Sequence, residues 1–234
     1  MSQSPYTISP LGDAALIISF GNKIDEIINE KIHTFSQLIK EAKIDGIRDI
    51  VPAYSSIAVH YNTVVSIKQS TGRTAYENIK EQLQHLLLSE VEEVAGPIRR
   101  LEIPVCYAKK YGWDLEYISG VTKLPVAEII RIHTSLTYRV FMIGFLPGFA
   151  YMGEVDERIA VARKTEPRLQ IEQGYVGIAG KQTGIYPLTS PGGWQIIGRT
   201  PLKLFDKLKE DPVLFAAGDK VNFFSISEHE FENY

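Results

Sequence analysis

The stretch "GYVGIAGKQTG", Gly174 to Gly184, carries four glycines and a Gly-Lys pair. It can be read as a loop that wraps phosphates, or as β structure whose glycines serve turns and close packing. A Walker-type loop needs G-x-x-x-x-G-K followed by Ser or Thr, because its amides wrap the phosphates and the hydroxyl binds magnesium. Counted back from Gly180-Lys181, the first glycine should stand where Tyr175 is, and the hydroxyl position holds Gln182. No long helical pattern follows, since "IYPLTSPGG" contains two prolines. A dinucleotide fingerprint fails as well, because Gly174, Gly177 and Gly180 fall every third residue, outside a strand–helix–strand unit. The glycines therefore read as permitting tight turns and close backbone approach. Lys181, Gln182 and Thr183, set between them, are polar groups on a loop that can face a ligand.

The surrounding text agrees. Ten of the chain's 18 glycines fall between Phe141 and Thr200, with short apolar runs between them. Brief strands punctuated by turn residues favour a β-barrel or sandwich. Upstream the pattern differs. "AALIISF" (Ala14 to Phe20), "IRDIV" (Ile47 to Val51) and "SIAVHY" (Ser56 to Tyr61) read as strands. Ile24, Ile27, Ile28, Ile32, Phe35, Leu38 and Ile39 recur at helical spacing between the first two. A second helical stripe, Ala75, Tyr76, Ile79, Leu83, Leu86 and Leu87, follows a Thr74–Glu77 capping box. This order predicts an α+β chain: a small α/β sandwich with helices on one face of a sheet over residues 1–95, then a β-rich domain over 96–234. Gly96-Pro97 is the expected hinge. Leu101, Ile103 and Val105 alternate as a strand after it, and short helices are expected at "DLEYIS" and "VAEIIRIHT".

Composition narrows the function. The chain has 234 residues and a formal net charge of -3, so no global field recruits nucleic acid or an acidic membrane. Cys106 is the one cysteine, which excludes an internal disulfide and a zinc cluster built on cysteines, and fits a reducing compartment. "FMIGFLPGFAYM" (Phe141 to Met152) is the most apolar run, shorter than the roughly 18 residues a membrane span needs. A soluble cytoplasmic protein is expected.

Three motifs carry a resemblance: "RIHT" (Arg131 to Thr134), "YRVFMIGFLPGFAYMG" (Tyr138 to Gly153) and "GYVGIAGKQTGIYPLTSPGGWQIIGRT" (Gly174 to Thr200). With "LGDAALIISFG" and "IVPAYSSIAVHY" in the first half, they resemble the family of the kinase inhibitor KipI and the B-type subunit of 5-oxoprolinase. That family is related to allophanate hydrolase subunit 1 and to the carboxyltransferase domain of urea carboxylase. The resemblance implies a cyclophilin-like β-barrel as the second domain. It implies an enzyme assembled with two other subunits, of A and C type, that opens 5-oxoproline to glutamate with ATP and magnesium. The alternative it implies is a protein that binds and inhibits a sensor histidine kinase. A peptidyl-prolyl isomerase would rest on the barrel alone, which is weak warrant. Covalent biotin is not expected, because none of Met1, Met142 and Met152 adjoins a lysine. Glu154 and Lys181 depart from the small residues common in relatives.

Opening a resonance-stabilised lactam calls for donors around developing oxyanions and for an acid/base near neutral pH. His133 is the candidate acid/base; the alternative is a histidine capping a helix C-terminus. Lys181 and Arg199 are candidate anion clamps, or else a solvated loop lysine and a paired strand arginine. Gln182 and Thr183 are candidate substrate contacts, or satisfy turn backbone groups. Tyr186, Gly148 and Phe149 are further substrate-site candidates. Tyr186 and Trp194 otherwise read as core or rim aromatics, and "FLPGFAY" as an apolar plug or an exposed protein-binding patch. Arg163, Lys164 and Arg168 form a basic run offset by Glu154, Asp156, Glu157 and Glu166, and read as a solvated mixed face. No metal site is expected.

Overall fold

The computed structural model describes residues 6–68, 72–88 and 99–234, and the hinge expected at Gly96-Pro97 lies outside them. The chain divides into two compact units, Met1–Pro97 and Ile98–Tyr234.

The first unit comprises β1 (Thr7–Pro10), β2 (Ala15–Ser19), α1 (Glu26–Glu41), β3 (Ile47–Pro52), β4 (Ser56–Tyr61), α2 (Thr63–Lys68) and α3 (Ala75–Leu88). Its four strands form an antiparallel sheet in the order β1-β2-β4-β3. Side-chain alternation sends Leu16, Ile18, Ile57 and Val59 to one face, where Ile32 and Ile39 of α1 and Ile79 and Leu83 of α3 bury against them. The Asp25 carboxylate caps α1 by accepting from the Ile28 amide at 2.9 Å. Ile24 therefore precedes the helix, and Ile27 is 66% exposed, so the buried stripe is narrower than the sequence spacing suggests. The Thr74–Glu77 capping box forms in both directions: Glu77 N donates to Thr74 Oγ1 at 3.2 Å, and Thr74 N donates to Glu77 Oε2 at 2.8 Å.

The second unit holds β5 (Arg100–Cys106), α4 (Leu115–Thr122), α5 (Val126–Ser135), β6 (Thr137–Ile143) and β7 (Ala150–Gly153). There follow β8 (Arg168–Ile171), β9 (Tyr175–Ala179), β10 (Gln182–Ile185), β11 (Ser190–Gly192), β12 (Gln195–Arg199), β13 (Lys220–Ile226) and α6 (Glu228–Glu232). Seven strands close a barrel in the order β10-β7-β6-β13-β5-β12-β9, while β8 and β11 form a separate ribbon. β13 runs parallel to β5 from Lys220↔Arg100 to Ile226↔Cys106. β12 meets β5 at one register pair, Arg199↔Cys106, which makes this seam the weakest in the barrel wall. Ile103, Val140, Val176, Ile178, Ile185 and Ile197 point inward, and Leu115 and Ile118 of α4 and Ile129 and Ile132 of α5 bury in the same core.

β9 and β10 explain the glycine-rich stretch. Inward positions carry Val176, Ile178 and Ile185, whereas the outward positions between them include Gly177 and Gly184. Trp194 and Phe149 lie directly on that bare backbone. A Cβ at Gly184 would stand 2.7 Å from the Ala150 carbonyl oxygen, 3.2 Å from the Trp194 ring and 3.3 Å from the Phe149 ring. Gly180 has φ +60 and turns the chain between the strands. Its amide donates to the Val161 carbonyl at 2.6 Å, and that of Gly174 donates to the Tyr186 carbonyl at 2.7 Å. These two amides are thus engaged in the fold and do not cradle phosphate.

Gly184→Ala should destabilise the protein by about 1–3 kcal/mol, because its neighbour is rigid backbone. Gly120→Ala, in α4 with nothing within 4 Å of the added Cβ, should be neutral or stabilise by about 0.5–1 kcal/mol. Urea unfolding of both variants checks the contrast, and equal midpoints would contradict the packing argument.

Candidate functional site

His133 sits in the last turn of α5 and points into the barrel, fully buried. Tyr107 Oη and His133 Nδ1 are 2.8 Å apart, and His133 Nε2 and Thr183 Oγ1 are 3.0 Å apart. Thr183 Oγ1 donates to the Gly177 carbonyl at 3.1 Å, so its oxygen is left to accept from His133. The network thereby assigns the direction: Tyr107 donates to Nδ1, and Nε2 carries the proton and donates to Thr183. Phe223 stacks on the imidazole at 4.7 Å. Burial lowers the His133 pKa to about 3, which keeps the ring neutral. His133 is therefore a locked core histidine. The expected acid/base role is corrected, because both ring nitrogens already have partners and the ring is closed off from the surface. Thr183 belongs to the same lock and does not face a ligand.

The two expected anion clamps lie apart. Lys181 stands in the turn after β9, and its ammonium is 2.5 Å from Glu157 Oε1, a bond that raises its pKa. Arg199 pairs with Tyr175 at the opposite end of β9. Five strand residues separate the ends by about 13 Å at roughly 3.3 Å per residue. The Arg199 guanidinium lies 4.8 Å from the Tyr175 ring centroid, reaches Glu172 Oε2 at 3.1 Å, and donates from Nε to the Gln173 carbonyl at 3.1 Å. His133, Lys181 and Arg199 thus occupy the interior and two ends of the wall. They do not meet in one cleft. Gln182 opens β10 opposite Ala179 and Gly153, beside Lys181.

Tyr186, Phe149 and Gly148 do come together, on the barrel's outer side. Phe149 packs against Tyr186 at 5.4 Å, Trp194 at 5.4 Å and Tyr151 at 4.8 Å, with ring edges meeting faces. Phe149 is 1% exposed, so the "FLPGFAY" turn is a plug at that residue, and its exposed aromatic is Phe145. Burial pushes the Tyr186 phenol up to about 12, against smaller opposing pulls from the Trp194 backbone amide and Arg163, so it stays a neutral donor at pH 7. Gly148 has φ +82 and turns the chain onto this layer.

Three cations frame the aromatic layer; Arg163 is exposed, in keeping with the solvated-face reading, whereas that reading is corrected for Lys164 and Arg168. Asp114, 5% exposed, is the reason. Its Oδ2 accepts from the Ile196 amide at 2.6 Å, and its own amide donates to the Ile196 carbonyl at 2.8 Å. Arg168 Nη2 donates to Asp114 Oδ1 at 2.7 Å, and Lys164 Nζ is 3.8 Å from the same oxygen. The Arg168 guanidinium lies 5.2 Å over the Trp113 ring, which packs at 4.2 Å on Tyr175. Arg163 lies 5.9 Å over Trp194. The Lys164 amide donates to the Gly193 carbonyl at 2.7 Å, fastening the basic loop to the turn before Trp194. Such a face can hold an anion beside a planar group. Sequence reasoning missed it because Asp114 stands 54 residues from Arg168. Among the described residues no group of three or more metal-ligating side chains occurs, and no helix is long and apolar enough to cross a membrane.

The family described as carboxyltransferase domain, subdomain C and D, matches residues 6–215. The chain is 41% identical to the B-type subunit of 5-oxoprolinase from Bacillus subtilis (strain 168), over 98% of its length and 96% of that protein. It is 32% identical to the corresponding 5-oxoprolinase subunit of Escherichia coli O157:H7, over 93% of this chain and 95% of that one. Among solved structures it is similar to TTHA0988, at 30% identity and a TM-score of 0.78, over 91% of this chain. This chain spans 40% of TTHA0988's length.

The His133 lock has a pH signature. The folded pKa of about 3 lies below the free value of 6.5, so the unfolded chain takes this proton first as pH falls. The stability it contributes is complete above about pH 6.5 and is lost between there and pH 3, roughly tenfold in the folding equilibrium per pH unit. Long-range 1H–15N spectra should show a neutral Nε2–H tautomer that does not titrate from pH 8 to 5. A midpoint near 6.5 would overturn the lock. Tyr107→Phe, which strands Nδ1, should cost about 1–3 kcal/mol.

Proposed function

Because the chain belongs to the carboxyltransferase-domain family of subdomains C and D, we propose that it is the B-type subunit of an ATP-dependent 5-oxoprolinase. With A- and C-type partners it opens 5-oxo-L-proline to L-glutamate. The observation that carries this is the 41% match, which runs over 98% of this chain and 96% of the Bacillus subtilis subunit.

In this reading the γ-phosphoryl group of ATP passes to the lactam oxygen and ADP leaves. Water then adds to the activated carbon, and the ring C–N bond breaks to free the amine and leave an acyl phosphate. A second water cleaves that acyl phosphate to the carboxylate of glutamate and inorganic phosphate. The residues of this chain fit part of that chemistry. His133 is locked neutral, which supports a partner as the source of the proton-transfer group. The Gly174 and Gly180 amides and the Lys181 ammonium are engaged within the fold, which supports a partner as the holder of ATP and magnesium. What this chain offers the reaction is its outer basic–aromatic face. Location in the cytoplasm follows from the ATP requirement. The kinase-inhibitor alternative is not favoured over the oxoprolinase reading: the relatives from Bacillus subtilis and Escherichia coli are 5-oxoprolinase subunits, and Phe149 of the "FLPGFAY" segment is buried.

Purified A- and C-type subunits should release glutamate from 5-oxoproline and ATP when this chain is added, and this chain alone should release none. Full turnover by the other two subunits without it would sink the assignment.

A further inference from the structure

We propose that Lys164 and Arg168, held on Asp114 beside Trp113, form a binding site for the compact anionic group, carboxylate or phosphate, of a small-molecule ligand. Only the choice of 5-oxoproline as a probe rests on the oxoprolinase reading.

The first argument is charge. The ion pairs of both Lys164 and Arg168 end on the one Asp114 carboxylate, so two positive charges meet one negative charge. That carboxylate is also committed to the Ile196 amide at 2.6 Å, and Lys164 stays 3.8 Å away, too far for a hydrogen bond. Glu172, the nearest acid on the β8 side, is drawn to Arg199 at 3.1 Å. Glu166, on the basic loop itself, is exposed.

The second argument is unused donor capacity. Arg168 uses Nη2 on Asp114, while its Nη1 is shut from solvent and has no acceptor. A buried guanidinium nitrogen without a partner is costly, and a side-chain shift that opens Nη1 to the surface lets an anion satisfy it. The side chains are 24% exposed for Arg168 and 31% for Lys164, so they are reachable yet partly desolvated, where charge attraction is less screened than on an open surface.

The third is preorganisation. Asp114 is fixed by two backbone bonds to β12, the Lys164 amide by Gly193, and Arg168 by its place at the start of β8. Binding an anion here orders little that is not already ordered. Trp113, 39% exposed, gives the carbon part of the ligand an apolar wall.

The test uses the purified chain in low-salt buffer without phosphate or carboxylate. Thermal shift and calorimetric titration are run with inorganic phosphate, with 5-oxoproline, and with 2-pyrrolidinone, the same lactam without its carboxylate. Phosphate, 5-oxoproline or both should bind saturably and raise Tm, and pyrrolidinone should do neither. Binding of 5-oxoproline alone identifies a carboxylate site, and of phosphate alone a phosphate site. Lys164→Gln, which leaves the Asp114–Arg168 pair intact, should raise Kd tenfold or more. Arg168→Lys, which keeps the charge but loses the fork, should do likewise, while Lys207→Gln should not. The proposal is overturned if neither anion saturates, or if Lys164→Gln binds as wild type does. Anion binding with failed reconstitution would leave the site standing and remove the oxoprolinase reading; turnover without anion binding would do the reverse.

Discussion

A seven-stranded sheet becomes a barrel only where its two ends meet, and here β5 and β12 meet at a single register pair. Strand edges left open inside a packed structure would strand backbone donors and acceptors. Asp114 fills that gap. Its amide donates to the Ile196 carbonyl and its carboxylate accepts the Ile196 amide, so one residue does what a paired strand residue would do. The consequence is a carboxylate that is 5% exposed, and a buried carboxylate holds its charge only beside compensating cations. Arg168 and Lys164 answer that need. The closure of the barrel and the basic face outside it therefore both follow from one residue.

The wall itself sorts chemistry by strand alternation. Inward positions of β9, β10 and β12 carry Val176, Ile178, Ile185 and Ile197, with Thr183 and Gln195 as polar exceptions. Thr183 is bound to His133, and Gln195 donates to the Ala162 carbonyl at 3.1 Å. Outward positions include the bare glycines Gly177 and Gly184, so Trp194 and Phe149 can lie against main chain. Inside, Thr183 and His133 are matched to each other and Gln195 is satisfied at its amide nitrogen but not at Oε1, whereas the face outside keeps Arg168 Nη1 as a donor that no protein group has taken up.

Much of this was legible in the sequence. The strands and helices of the first unit, the Thr74 capping box and the rejection of a phosphate loop follow from periodicity and spacing, which are local. The glycines were correctly read as packing devices, since their spacing fits no phosphate motif. The site was not legible. Whether a lysine or arginine is solvated depends on what it meets, and Arg168 meets a carboxylate 54 residues away. His133 carries the same limit: its spacing on α5 does not say that Tyr107 and Thr183 will close over it. The β8–β11 ribbon, which presents Arg168, pairs segments some twenty residues apart, with no alternation long enough to announce it.

Residue type alone ranked His133, Lys181 and Arg199 above Arg168, and burial reverses that order for a physical reason. A histidine is useful in proton transfer when its two forms are close in energy, and a sealed apolar site separates them. Lys181 and Arg199 are each matched by one acid, Glu157 and Glu172, and each projects from an end of β9 where no aromatic layer meets both. Arg168 instead shares its acid with Lys164, lies on Trp113, and is anchored through Asp114 to the barrel wall. Charge in excess, partial desolvation and a rigid mount coincide at that point of the described surface. On the proposed reading this face holds a charged reactant, while the one buried histidine stays inert inside the barrel.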